Sequence, residues 1–308
     1  MYEDIIRRLE PVQGRVDAVL DTDAFNEIDD QFALAYLLAY PERVNLLAVT
    51  AAPFFNERST SPEDGMLKSY DEIIKVSRLC GRNDAKELAY LGARKYLPDE
   101  NTPVDSPAAR RIAELALQHG ADEPLYVVAI GAITNVASAL LMEPAINNRI
   151  VVVWLGGHSL EWPDTAEFNM RQDVAAARVV WKSAVPLVML PCQGVVSAFS
   201  VSGPEFEAWL IGKNEKCIYL AQNAISSMAF CQNRPWSRVL WDVCAAAYLV
   251  NDNERFLRSR LIRAPFPQYD NHYSQTEFTP HPVRYVWAVN RDGLLTDMIE
   301  RLTRLTAP

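Results

Sequence analysis

The sequence predicts an α/β protein: an open, mostly parallel, Rossmann-like sheet with helices on both faces and a helical cap drawn from the C-terminal third. Three observations carry this. Strand-like and helix-like segments alternate through the first two-thirds of the chain, the pattern of βαβ units. The central runs "LYVVAIG" and "RIVVVWLGG" are so apolar that both faces must be covered, as in a central parallel strand. Polar clusters follow directly after the strand-like runs, where open parallel sheets bind ligands.

In chain order, "VDAVLD" (16–21) is the first strand. "DDQFALAYLLAY" has helical spacing and two acids in its first turn, where the helix dipole favours them. "VNLLAVTAA" is a strand and "MLKSYDEIIKVSRLCG" a helix ending at Gly81. "ELAYLG" reads as a short strand. In "SPAARRIAELALQHG", Ser106 caps a helix, Pro107 occupies its first turn and Gly120 ends it. The two apolar strands come next, with "NVASALLM" as the helix between them. "DVAAARVVWKS" is a helix and "VPLVMLP" the sixth strand. Beyond residue 200 the pattern turns mostly helical ("EFEAWLIG", "CIYLAQNAISSMAF", "VLWDVCAAAYLV"), closing with a strand, "VRYVWAVN", and a helix, "LLTDMIERLTRL". No linker, repeat or low-complexity stretch interrupts the chain, so residues 1–308 read as one domain.

The 308 residues are 49% hydrophobic, enough for a large core, and the net charge of −9 argues against a nucleic-acid surface. The five cysteines form no CxxC pair and read as reduced thiols. The start, "MYEDIIRRLE", lacks the apolar core of a signal peptide, and no run is long enough to span a bilayer. A cytoplasmic protein is expected.

"DTDAFNEIDD" (21–30) packs five carboxylates into ten residues at the mouth of the first strand. Either it is a solvated loop, or a cation sits among the acids. A late acid favours the cation. Asp242 lies in "SRVLWDVCAAAYLV", apolar nearly all round, and a buried carboxylate needs a partner. The alternative is an ion pair between Arg238 and Asp242 at i, i+4. Carboxylate and carbonyl oxygens suit calcium or magnesium, and no His or Cys has zinc spacing. An EF-hand is excluded, because Asn26 stands where its Gly is required and Phe32 where its Glu is.

"VLDTDAFNEIDDQFALAYLL" resembles the N-terminal signature of the nucleoside hydrolases, the inosine–uridine-preferring N-ribohydrolases. The commoner signature has a Pro-Gly-hydrophobic segment between DTD and DD; here "AFNEI", with Glu27, intervenes, as in a less-studied branch. "AIGAITNVASAL", "WLGGHSLEWPDTAEFNMRQDVAAARVV" and "LWDVCAAAYLV" agree with the family in order and spacing. The resemblance implies a calcium held by Asp23, Asp30, Asp242 and the backbone carbonyl of Thr134. It implies Asp23 as the base that takes a proton from water, Asp29 on the ribose hydroxyls, and Glu167 and Asn169 on the rest of the sugar. The implied substrate is a small ribonucleoside, and the implied assembly a homodimer or homotetramer.

Departures from the family pattern are informative. Trp241 stands where many members have a leaving-group His; its indole does not titrate, but it offers a flat face that would stack on a purine. Trp162 is a second stacking candidate, and Trp154 reads as sheet core. His158 follows "GG" at a strand mouth and could touch substrate. His119 reads as a helix end. His272 and His281 flank "QYDNHYSQTEFTPH", a loop that could close over the base. Asn56, in "APFFN", is the equivalent of a family Asn on ribose. Cys192, in "PCQG", has no activating base and reads as a small buried residue.

The expected reaction is calcium-dependent hydrolysis of the N-glycosidic bond of ribonucleosides, purines preferred. Two other readings remain open: a ribose- or nucleoside-binding homologue with weak or no turnover, and a magnesium-dependent phosphatase built on "DTD". The phosphatase would need a basic phosphate cradle, and no Gly-rich phosphate loop is present.

Overall fold

The structure is a computed structural model that describes residues 2–231 and 234–304. Its centre is an eight-stranded sheet. In chain order the strands are β1 (Val16–Thr22), β2 (Val44–Ala51), β3 (Ala89–Tyr90), β4 (Leu125–Ala129), β5 (Ile150–Leu155), β6 (Leu187–Leu190), β7 (Ser200–Ser202), β8 (Ser237–Val239), β9 (Leu257–Ile262), β10 (Pro265–Pro267), β11 (Tyr273–Phe278) and β12 (Val283–Val289). The main sheet runs β3-β2-β1-β4-β5-β6-β12-β9, parallel throughout except for the antiparallel edge strand β9. The pairs β7–β8 and β10–β11 lie outside it.

The helices are α1 (Tyr2–Arg8), α2 (Asp29–Leu38), α3 (Pro62–Leu79), α4 (Ala85–Leu88), α5 (Pro107–Leu117), α6 (Thr134–Met142), α7 (Phe168–Gln172), α8 (Val174–Lys182), α9 (Gly203–Leu210), α10 (Glu215–Ser227), α11 (Trp241–Tyr248) and α12 (Arg291–Thr303). Strand side chains alternate between two buried cores. Ala18, Leu20, Val151 and Val153 pack with α2, α9, α10 and α11, whereas Val19, Val152 and Trp154 pack with α5, α6 and α8. Double coverage is why these strands read as continuous apolar runs.

β1 lies between β2 and β4, so successive crossovers leave it in opposite directions. A crevice opens at the carboxyl end of the sheet at such a switch point. β1 delivers Asp21 and Thr22 there, and Asp23 follows at once.

Several expectations change. "ELAYLG" does hold a short strand, confined to Ala89–Tyr90, because Glu87 and Leu88 continue the helical turn of α4 begun at Ala85. The last third is not only helical, since β7 to β11 all lie there. The loop thought able to close over the base is the β10–β11 pair and its turn. Leu305, the last residue of the expected final helix, lies outside the described residues. Among the described residues no helix is long and apolar enough to cross a membrane, and all five cysteines are free.

Candidate active site

Two distant segments meet because α11 packs on α2. α11 carries Ala245, Ala246 and Ala247, all fully buried, and such small side chains let two helices approach closely. The approach sets Asp242, at the second position of α11, against Asp29 and Asp30, which open α2. Carboxylate oxygens of Asp29, Asp30 and Asp242 lie within 4.8 Å of one another. The Asp242 backbone N–H also donates to Asp29 Oδ2 at 3.4 Å. Asp23 stands close enough to this group to feel the charges of Asp29 and Asp30, and a Cβ on Gly131, two residues past β4, would lie 2.7 Å from Asp23 Oδ1. Only a residue without a side chain fits between β4 and that carboxylate.

Burial dominates the electrostatics. Asp23, Asp29, Asp30 and Asp242 are each at most 3% exposed. Desolvation, followed by mutual repulsion, pushes the carboxyls of Asp23, Asp30 and Asp242 well above the ordinary range. Desolvation, with Glu27 adding to it, lifts Asp29 to about 7. Asp21, one layer below, rises to about 6 through burial, although Thr50 and Asn135 hydrogen-bond its Oδ1. Among the described residues Asp21 Oδ2, Asp23 Oδ2 and Asp29 Oδ1 are buried with no protein partner. Orphaned oxygens on crowded, buried acids fit a hard cation, whose charge would offset both burial and repulsion.

A cavity of about 280 Å³ opens above the acids. Asp23, Asn26, Glu27, Asp29, Asp30, Glu167, Asn169 and Asp242 contribute its polar lining; Trp241, Phe168, Ile130 and Leu155 contribute apolar wall. His158, Cys192 and Gln193 line it from the mouths of β5 and β6. Arg171 is the only cation of the lining; it is exposed and its guanidinium stacks 5.5 Å from the Phe168 ring. That is no phosphate cradle.

Glu167 caps α7. It accepts backbone N–H bonds from Gly157, Asn169 and Met170, each at 2.9 Å. The Cys192 thiol donates to it as well, and burial keeps that thiol protonated. Asn169 spends both amide protons on the carbonyls of Ile130 and Leu155, at 3.0 and 3.1 Å, which leaves its oxygen for a ligand.

Other candidates fall elsewhere. Thr134 is buried at the start of α6 and does not line the cavity; its hydroxyl donates to Asp173 at 2.7 Å. Asn56 does not line it either, but donates to Asn26 Oδ1 at 2.6 Å. Asn26, passed over in the sequence, lines the wall with Glu27 of the same "AFNEI" segment. His281 is buried between carbonyls of Ser183 and Pro282, and His272 is exposed on the β11 turn; neither lines the cavity. Trp154 is sheet core, edge-on to Trp181. The Arg238–Asp242 pair does not form. Leu240 is non-helical (φ −100°, ψ 70°), so Arg238 belongs to β8 and bonds Glu27 at 2.6 Å instead. The alternative of an i, i+4 ion pair is thereby ruled out, and Arg238 pairs with Glu27.

The chain is similar to known proteins. Residues 18–294 match the family model described as inosine-uridine preferring nucleoside hydrolase. The non-specific ribonucleoside hydrolase RihC of Salmonella schwarzengrund (strain CVM19633) is 27% identical over 257 residues, 79% of this chain and 81% of that one. The pyrimidine-specific ribonucleoside hydrolase RihA of Enterobacter sp. (strain 638) is 30% identical over 194 residues, 56% of this chain and 58% of that one. Two solved structures share the fold. A plant nucleoside hydrolase, PpNRh1, superposes with a TM-score of 0.72 at 18% identity, covering 94% of this chain and 99% of its own. A purine-preferring ribonucleoside hydrolase from Gardnerella vaginalis gives 0.72 at 18%, covering 93% and 98%. With the family model spanning most of its length, the chain belongs to the inosine-uridine preferring nucleoside hydrolases.

Proposed function

We propose that this chain hydrolyses the N-glycosidic bond of ribonucleosides, purines preferred, at a calcium site formed by Asp23, Asp30, Asp242 and the Thr134 carbonyl. The supporting observation is the convergence of buried acids from both ends of the chain with oxygens left unpartnered. Bound calcium would supply Lewis-acid activation of water and a seat for vicinal hydroxyls. The chain's own groups do the rest. Asp23 accepts a proton from the attacking water at its free Oδ2. Asp29 accepts from a ribose hydroxyl at its free Oδ1. The surrounding carboxylates stabilise the oxocarbenium-like sugar as the bond to the base breaks. The Asn169 oxygen accepts from another hydroxyl, beside Glu167. Trp241 presents a ring face to the base, and the purine preference rests on it. The proposed assembly is a cytoplasmic homodimer or homotetramer.

The deciding experiment measures reducing sugar released from purine and pyrimidine nucleosides, with and without chelator. Release from inosine that stops with chelator and returns with calcium is expected. Tight nucleoside binding without sugar release would instead support the binding-protein reading, which rests on the lack of a leaving-group His at position 241.

A pH signature accompanies the metal. A carboxyl whose folded pKa exceeds its unfolded value stabilises the fold below the unfolded value, and that contribution is lost as pH rises through the folded one. For Asp21 and Asp29 the window runs from 3.8 up through about 6 and about 7. Metal-free protein should therefore lose melting temperature between about pH 4 and 7, and added calcium should raise it more at the upper end, where protons no longer compete. Thermal denaturation across pH, with and without calcium, checks this.

A further inference from the structure

On the β5–β6 side of the cavity stands a histidine whose surroundings fix its tautomer. His158 is the one histidine of the lining. Its loop is clamped to the loop after β6. The Cys192 N–H donates to the Gly157 carbonyl at 2.8 Å and the Ser159 N–H to the Gln193 carbonyl at 3.0 Å. The Tyr273 hydroxyl donates to the His158 carbonyl at 3.1 Å. Gly157 has φ +74°, and a Cβ there would lie 2.7 Å from Met170 and 2.8 Å from the Tyr273 hydroxyl. The imidazole therefore rides on a rigid platform, with the Trp162 ring 5.7 Å away.

The Gln193 backbone N–H points at His158 Nδ1 at 3.4 Å. An amide N–H only donates, so Nδ1 accepts, and the proton of the neutral ring sits on Nε2. Burial holds the imidazole pKa below its ordinary value. The neighbouring acid, Asp164, is 3.9 Å from Nε2, beyond hydrogen-bond distance. The cavity thus has a neutral N–H donor in its wall, on the same cavity as the carboxylates of Asp23, Asp29, Asp30 and Asp242.

Carboxylates suit sugar hydroxyls, which donate. A nucleobase edge carries acceptors as well as donors, among them N7 and O6 of an oxopurine and the carbonyl oxygens of a pyrimidine. We propose that His158 is the base-reading residue, its Nε2–H donating to an acceptor on the edge of the nucleobase. A neutral imidazole recognises that atom without giving its proton away, so the role is specificity, distinct from protonation of the leaving group. This inference rests on the ribohydrolase reading of the same cavity.

The test is a cycle between residue and base atom. Affinities are measured for inosine, adenosine (an amine in place of O6) and 7-deazainosine (no N7) with wild type, His158→Ala and His158→Gln. Wild type should bind the nucleoside lacking the read acceptor about threefold to tenfold more weakly than inosine, as loss of one neutral hydrogen bond implies. His158→Ala should erase that difference, and His158→Gln, which retains an N–H donor, should keep part of it. No discrimination in wild type, or the same discrimination in His158→Ala, overturns the inference. Failure of the underlying reading shows separately: wild type would then release no ribose from 4-nitrophenyl β-ribofuranoside, whose leaving group needs neither recognition nor protonation.

Discussion

Asp23→Asn should lower kcat by about 10² to 10⁴, the share that a positioned general base contributes. The substitution is nearly isosteric, at a residue that is 1% exposed, so shape is kept while the proton acceptor is lost. An amide oxygen can still face the cavity but no longer takes a proton from water at neutral pH. The fold should tolerate the change, because Asp23 Oδ2 has no protein partner to lose. Steady-state kinetics on inosine and melting temperature, measured together, separate the two effects: kcat falls steeply while the melting temperature holds. A kcat within a few-fold of wild type would remove Asp23 from the chemistry.

Asp242→Asn should produce two effects of opposite sign. Calcium affinity should drop by more than the roughly 10- to 100-fold that outer-shell changes cost, since a charged ligand oxygen is removed outright. Metal-free stability should rise. Asp242 is buried and its carboxyl is forced up by desolvation and then by Asp29, Asp30 and Asp23, so a neutral amide relieves both burial cost and repulsion. Calorimetric titration with calcium and thermal denaturation of the metal-free protein read the pair. A merely structural Asp242 would lose stability in both conditions. The opposition of signs therefore distinguishes a cation cage from a core ion pair.

Sequence carried the central architecture because physics repeats there. β4, β5 and β6 are covered on both faces and had to be apolar throughout, which a linear reading detects. The edge strand β9 and the β11 hairpin strand alternate with exposed polar residues, "LRSRLI" and "YSQTEF", and carry no such signal. α1 is a seven-residue helix with little of the periodicity that marks longer ones.

The site divides in the same way. Asp23, Asp29 and Asp30 were legible from their place after a strand. Asp242 was legible because an acid inside an apolar helix demands an explanation. Asn26, the Cys192 thiol on Glu167 and the Glu27–Arg238 pair were not, since each depends on how separate loops meet in space. The alternative pairing of Arg238 with Asp242 fails because the helix starts at Trp241, three residues later than an i, i+4 pair requires. His158 showed as a loop histidine, but its tautomer needed the Gln193 N–H to be placed.

The most direct measurement is a crystal structure grown with calcium and a non-hydrolysable ribose mimic. The account predicts one ion about 2.3–2.6 Å from oxygens of Asp23, Asp30 and Asp242 and from the Thr134 carbonyl, with the sugar's vicinal hydroxyls beside Asp29. Density that leaves these acids without an ion while the mimic sits in the cavity, or an ion bound without Asp242, would contradict it.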